Sequence, residues 1–156
     1  MKTLDIKVQI INRPDCTVVY SRHLGPYQDM GSTWKEFMAE VGQLGLPMDE
    51  CLTICHDDPE TTPANEIRSD CCVVVNGELP ANLGSLSVAS LSGGDHLVGT
   101  FTGPYGDLPA AWQQIYETEL AKSGRKESPN PPFEIYRVHN CDHPEKCVTD
   151  ICIPLA

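Results

Sequence analysis

The chain of 156 residues sets 22 acidic side chains against 11 basic ones, for a formal charge of −11, and 40% of it is apolar. That apolar share is enough for one domain core and excludes global disorder. The negative surplus repels phosphate, so direct nucleic-acid binding and attachment to an anionic membrane are not expected, whereas small cations and basic protein surfaces are attracted.

Val8–Ile11 and Val18–Tyr20 are short β-favouring runs separated by Asn12-Arg13-Pro14-Asp15. Gly25-Pro26-Tyr27 follows, then Trp34, Phe37, Met38 and Val41 at the i, i+3, i+4, i+7 spacing of one helix face. Leu52–Cys55 and Cys71–Val75 read as strands around the polar loop His56–Ser69. Asn76–Leu83 joins this half to the next. Gly103-Pro104-Tyr105 then precedes a second helix, with Leu108, Ala111, Trp112, Ile115 and Tyr116 on one face, Asp107 as its cap and Gly124 as its stop. Two more strands, Phe133–Tyr136 and Asp150–Leu155, complete the chain.

The two halves follow one pattern. Each Gly-Pro-Tyr is followed by a tryptophan helix, at an offset of 78 residues, and Asp70 onward matches Asp150 onward at an offset of 80. Such spacing reads as a duplicated half-domain, with repeats of about 1–80 and 81–156. Strand, helix, strand, strand in each half predicts an α+β fold of antiparallel strands covered by helices. Neither half has much core alone, so the two are expected to pack as a single domain over 1–156 about a pseudo-twofold axis.

No stretch reaches the about 18 apolar residues of a membrane span, and the opening Met1-Lys2-Thr3-Leu4-Asp5 has no signal-peptide core, which points to the cytoplasm. In that compartment the eight cysteines are expected to be reduced thiols acting as small hydrophobes, with Cys71 and Cys72 on opposite faces of their strand. His139, Cys141, His143 and Cys147 are legitimate zinc ligands, but their alternating spacing is not a zinc-site pattern and Pro144 breaks any helix, so no metal is expected. Asp57-Asp58-Pro59 reads as a turn, since no twelve-residue calcium loop follows. Gly93-Gly94 lacks the spacing of a phosphate loop, and no cofactor is expected.

Period-two alternation puts Glu134 and Tyr136 on one strand face, with Phe133 and Ile135 on the other. The matching position in the first half is Thr53, so the strand itself does not require a carboxylate there. By residue type alone, Glu134 could be an ordinary solvated glutamate, Trp34 and Trp112 core residues, and Tyr27 and Tyr105 structural turn tyrosines.

Taken together, the two Gly-Pro-Tyr/tryptophan units, Asp57-Asp58-Pro59 with Pro63 and Asp70, Gly93-Gly94, Phe133-Glu134-Ile135-Tyr136 and Ile153-Pro154-Leu155 resemble the GyrI-like family, from about Val8 to Leu155. This family includes a DNA gyrase inhibitory protein and the effector-binding domains of AraC-type and multidrug-sensing regulators. The resemblance implies two strand-helix-strand-strand modules in a curved antiparallel sheet with helices packed on it and a central ligand cleft. It also implies a glutamate anchor for drug-like cations at Glu134. Tyr136, Trp112, Tyr105, Tyr27 and Trp34 are the ligand-binding candidates beside it. No DNA-reading helix-turn-helix precedes the first strand, so the chain resembles the effector-binding module alone.

The expected function is therefore to sense or sequester amphipathic, cationic aromatic compounds. Two alternatives stay open. One is hydrolysis of electrophilic or cyclopropane-bearing toxins, with Glu134 and Tyr136 as base and donor. The other is inhibition of DNA gyrase as a protein partner, which the acidic surface permits without selecting.

Overall fold

The computed structural model of the chain describes residues 3–140 and 142–156. Along it run β1 (Ile6–Arg13), β2 (Cys16–Leu24), α1 (Met30–Leu44), β3 (Cys51–Cys55), β4 (Arg68–Val74), β5 (Ser87–Leu91) and β6 (Gly94–Thr102). Then come α2 (Leu108–Gln114), a π-helical turn at Ile115–Glu119, α3 (Leu120–Ser123), β7 (Phe133–Val138) and β8 (Val148–Pro154). Every strand pair described below is antiparallel, so the fold is α+β as the sequence predicts.

Two compact units are present. Asp15–Ser92 forms one. In it β2 pairs with both β4 and β5, and β3 pairs with β4. The apolar stripe of α1 buries Met30, Phe37 and Val41 against Val19, Cys71 and Val73. Period-two alternation supplies the other side of that contact: Cys71 and Val73 face the helix, and Cys72 points to the opposite face. The helix ends where Gly45 adopts φ 68°, a left-handed conformation that glycine takes without a Cβ clash.

The chain up to Pro14 and Gly93–Ala156 form the other unit. Here β6 pairs with β1 and β8, and β8 pairs with β7. Leu108, Ala111 and Ile115 pack on Leu97, Phe101, Ile151 and Ile153. Gly99 permits this close approach, because a Cβ there would lie 2.5 Å from Ile115 Cδ1.

Several sequence expectations change. The first two strands are longer than expected, at eight and nine residues. They do not pair with each other. β1 belongs with β6 because Ile6 and Val8 complete the apolar face under Ile115, and β5, absent from the sequence reading, takes the place beside β2. The compact units therefore run differently from the sequence halves 1–80 and 81–156. The joining segment 76–83 is a packed connection, with Leu79 and Leu83 against the α1 core. The second helix is not continuous α-helix. Its start is offset by 78 residues from that of α1, but its terminal Gly124 is offset by 79 from Gly45, leaving one residue more to accommodate. A π turn absorbs such an extra residue and keeps Leu120 on the core, as Val41 is in α1. Asp107 sits at the head of α2 but its side chain makes no capping bond.

Candidate functional site

β7 and α2 build the site. Glu134 stands on β7 directly across the ladder from Ile151, and Tyr136 across from Thr149. Ile151 belongs to the helix-facing core, so Glu134 and Tyr136 share the helix side of the sheet, while Phe133 and Ile135 are fully buried on the other side. Four residues after Leu108, α2 presents Trp112 at the same level. Its indole Nε1 donates to Glu134 Oε1 at 2.5 Å, and the Tyr136 hydroxyl donates to Glu134 Oε2 at 2.8 Å. Each carboxylate oxygen thus holds one neutral donor. Among the described residues no basic side chain pairs with Glu134. Burial pushes its pKa up, against the two hydrogen bonds, which hold it down.

An aromatic row extends from this carboxylate. Trp112 stacks on Tyr116, with centroids 6.0 Å apart and planes 18° apart. On the other side, Tyr105 meets Tyr136 edge-on at 5.7 Å and stacks on His139 at 5.5 Å, its hydroxyl 2.7 Å from His139 Nδ1. The turn that delivers Tyr105 is fixed by the backbone: Gly103 N–H donates to Cys147 O at 2.8 Å, and Asp107 N–H to Pro104 O at 3.0 Å. A carboxylate with neutral donors, framed by four aromatic rings, can hold a cation by charge and by ring faces.

Four of the six sequence-predicted ligand residues come together here: Glu134, Tyr136, Trp112 and Tyr105. The other two, Tyr27 and Trp34, lie in the Asp15–Ser92 unit. Tyr27 donates to Asp57 O at 2.6 Å, and its hydroxyl pKa is pushed up chiefly by burial. Trp34 packs edge-on against Phe37 of its own helix at 5.7 Å. At the strand position of their unit that the sequence pairs with Glu134 there is no charge. Thr53 faces Cys71 as Glu134 faces Ile151, and Thr53 is buried.

The sequence reading missed Tyr116 and the place of His139. Tyr116 was legible as one helical turn beyond Trp112, whereas His139 drew attention only as a metal candidate. Cys141 of that candidate set lies outside the described residues. Of the rest, His139 rests on Tyr105 and the Cys147 thiol lies against the Asn140 backbone. Among the described residues no three metal-ligating side chains gather. The seven described cysteines are free thiols, and burial, with the Asp70 charge second, pushes Cys71 up to about 12. Asp57 binds the Arg68 guanidinium at 3.0 Å, which holds its carboxyl at about 2, and Asp58 accepts the Glu60, Thr61 and Thr62 amides, as a turn requires.

Two surface depressions of about 280 and 360 Å³ lie away from Glu134, one lined by Val8, Ile10 and Lys122, the other by Leu4, Gly103 and Asp107. The chemistry argues for the Glu134 cluster over either. Both depressions carry charged side chains, among them the exposed Lys122, Asp107 and Glu145, whereas Glu134 is a part-buried carboxylate among aromatic faces with neutral donors on both oxygens.

Comparisons with known proteins bear on the family and the fold. The chain is 27% identical over 135 residues to a DNA gyrase inhibitor of Klebsiella pneumoniae, covering 85% of each chain. It is also 27% identical over 160 residues to the probable transcriptional regulator YgiV of Escherichia coli, covering 100% of each. In fold it is similar to the C-terminal domain of EcmrR, with a TM-score of 0.73 at 20% identity, covering 97% of this chain and 98% of that one. It is similar as well to SAV2435 bound to tetraphenylphosphonium, with a TM-score of 0.69 at 15% identity and 96% and 94% coverage. The family model described as the GyrI-like small molecule binding domain matches residues 6–156, and the chain belongs to that family.

Proposed function

We propose that this protein senses or sequesters amphipathic aromatic cations, held by Glu134 between Trp112, Tyr136 and Tyr105. The observation that carries this reading is a carboxylate whose two recorded hydrogen-bond donors are both neutral. Removing such a carboxylate from water costs several kcal/mol when no positive charge accompanies it, and a bound cation offsets that cost. Each ring face adds about 0.5–2 kcal/mol of cation–π attraction. The tetraphenylphosphonium held by SAV2435, a protein of the same fold, is a cation of the class proposed.

The test is calorimetric titration of tetraphenylphosphonium into the parent and Glu134→Gln. Gln keeps the shape and removes the charge, so affinity should fall roughly ten- to a hundredfold. A neutral aromatic of similar size should bind both proteins alike, since its affinity comes from apolar burial. Equal loss for both ligands, or loss for neither, overturns the anchor.

A second reading has its own observation. A carboxyl with a raised pKa beside a tyrosine hydroxyl at 2.8 Å is suited to proton transfer, which supports hydrolysis of an electrophilic toxin. Turnover that collapses in Glu134→Gln while substrate still binds would establish it over simple binding. Gyrase inhibition rests on the relatives' names and on the acidic charge, and a supercoiling assay with the purified chain tests it.

A further inference from the structure

Thr149 is completely buried, and its hydroxyl has no hydrogen-bond partner. It sits on β8 between Phe101 on one side and Tyr136 on the other, on the same face as Glu134. The other unit shows what this position ordinarily does. Ser69, across from Cys55 as Thr149 is from Tyr136, donates to Met30 Sδ at 3.3 Å. The residue matching Met30 is Leu108, which has no acceptor, so the second unit keeps the hydroxyl and loses its partner. An unpaired buried hydroxyl is destabilising, whereas an apolar residue of the same shape would be neutral or better.

Building on the cation reading of Glu134, we infer that the Thr149 hydroxyl is a further ligand contact, one that makes the site prefer cations bearing N–H donors over fully alkylated ones. Residues diagonal across an antiparallel ladder, as Thr149 and Glu134 are, stand about 7–8 Å apart along the sheet, and one ammonium group joins oxygens up to about 5–6 Å apart, so the longer Glu134 side chain must lean toward Thr149 for both to bind it. One N–H then reaches Glu134 and another reaches Thr149 Oγ1. A quaternary ammonium has no proton to offer and satisfies the carboxylate by charge alone. Because the hydroxyl is enclosed, side chains over it must move for a ligand to reach it.

The test uses the whole chain and two probes: 2-naphthylmethylamine, protonated at neutral pH, and its N,N,N-trimethyl counterpart. The parent should prefer the amine, and Thr149→Val should cut that preference about 3- to 10-fold while leaving the quaternary affinity unchanged. Thr149→Ser, which keeps the hydroxyl, should keep the preference. It also serves if the valine variant does not fold, since a serine variant that loses the preference overturns the inference. The unliganded proteins supply an independent readout: Thr149→Val should melt no lower than the parent, whereas Ser69→Ala should melt lower because it loses a made bond. A preference unchanged in Thr149→Val overturns the inference. If Glu134→Gln weakens both probes in that same case, the anchor stands and only the role of Thr149 falls; if it weakens neither, the anchor itself falls.

Discussion

Trp112 Nε1 donates to Glu134 Oε1 at 2.5 Å, and this bond ties the helix that shapes the site to the strand that charges it. In the other unit the matching pair is Trp34 and Thr53, so the tryptophan recurs while the carboxylate does not. The indole N–H therefore does more than fill space in α2. It pulls the Glu134 pKa down, against the larger upward push of burial.

Replacing Trp112 by Phe removes that donor and keeps an aromatic face. The Glu134 pKa should rise further, because one of the two bonds favouring its charged form is gone. Tetraphenylphosphonium titrations from pH 5 to 9 should show the acid limb of binding moved to higher pH, with affinity at pH 6 roughly 3- to 10-fold weaker. A profile that keeps its position and only drops in height would mean that Trp112 contributes ring area alone.

Stability should carry the same signature with a definite sign. A carboxyl whose folded pKa lies above its unfolded value stabilises the fold fully at pH below the unfolded value, near ~4.3, and that contribution is lost as pH rises through the folded value. Glu134→Gln cannot ionise, so it should melt a few degrees above the parent at pH 7.5, with the gap shrinking toward pH 4.5. His96 works in the opposite direction: burial lowers its pKa, so its contribution is present above the ordinary histidine value and lost as pH falls below it. Both proteins carry His96, so its effect cancels in the difference between the two melting curves. A constant gap across that pH range would contradict the assignment.

Gly99 sets how closely the π-helical turn approaches the sheet. In Gly99→Ala the new Cβ would lie 2.5 Å from Ile115 Cδ1 and 3.1 Å from Ile6 Cγ2, so both side chains must shift. Overpacking of this kind costs about 1–3 kcal/mol. Ile115→Val removes the nearest of those atoms, so the double variant should be less destabilised than the sum of the two single changes, as urea melts would report. Simple additivity would mean that the strain relaxes elsewhere, through the backbone.

The α+β class, both helices, the two Gly-Pro-Tyr turns and the face shared by Glu134 and Tyr136 were all legible in the sequence, because each depends on local periodicity or on a turn residue. The strand partners were not. β1 is separated from β2 only by a short break yet pairs with β6, since Ile6 and Val8 are needed over the core beneath Ile115, a demand no local pattern records. The π turn was hidden for a related reason: one extra residue is visible as a shifted offset, but only packing decides whether a loop or the helix absorbs it. In the site, residue type and alternation placed Glu134 and Tyr136. Tertiary structure alone brought Trp112 and Tyr105 to them and left Tyr27 and Trp34 in the other unit. It also left Thr149 without a partner. That last feature depends on Leu108, 41 residues from Thr149 in the chain, standing where the other unit has the Met30 that Ser69 reaches, and hydrogen bonding across such a distance is settled by the packed fold rather than by sequence.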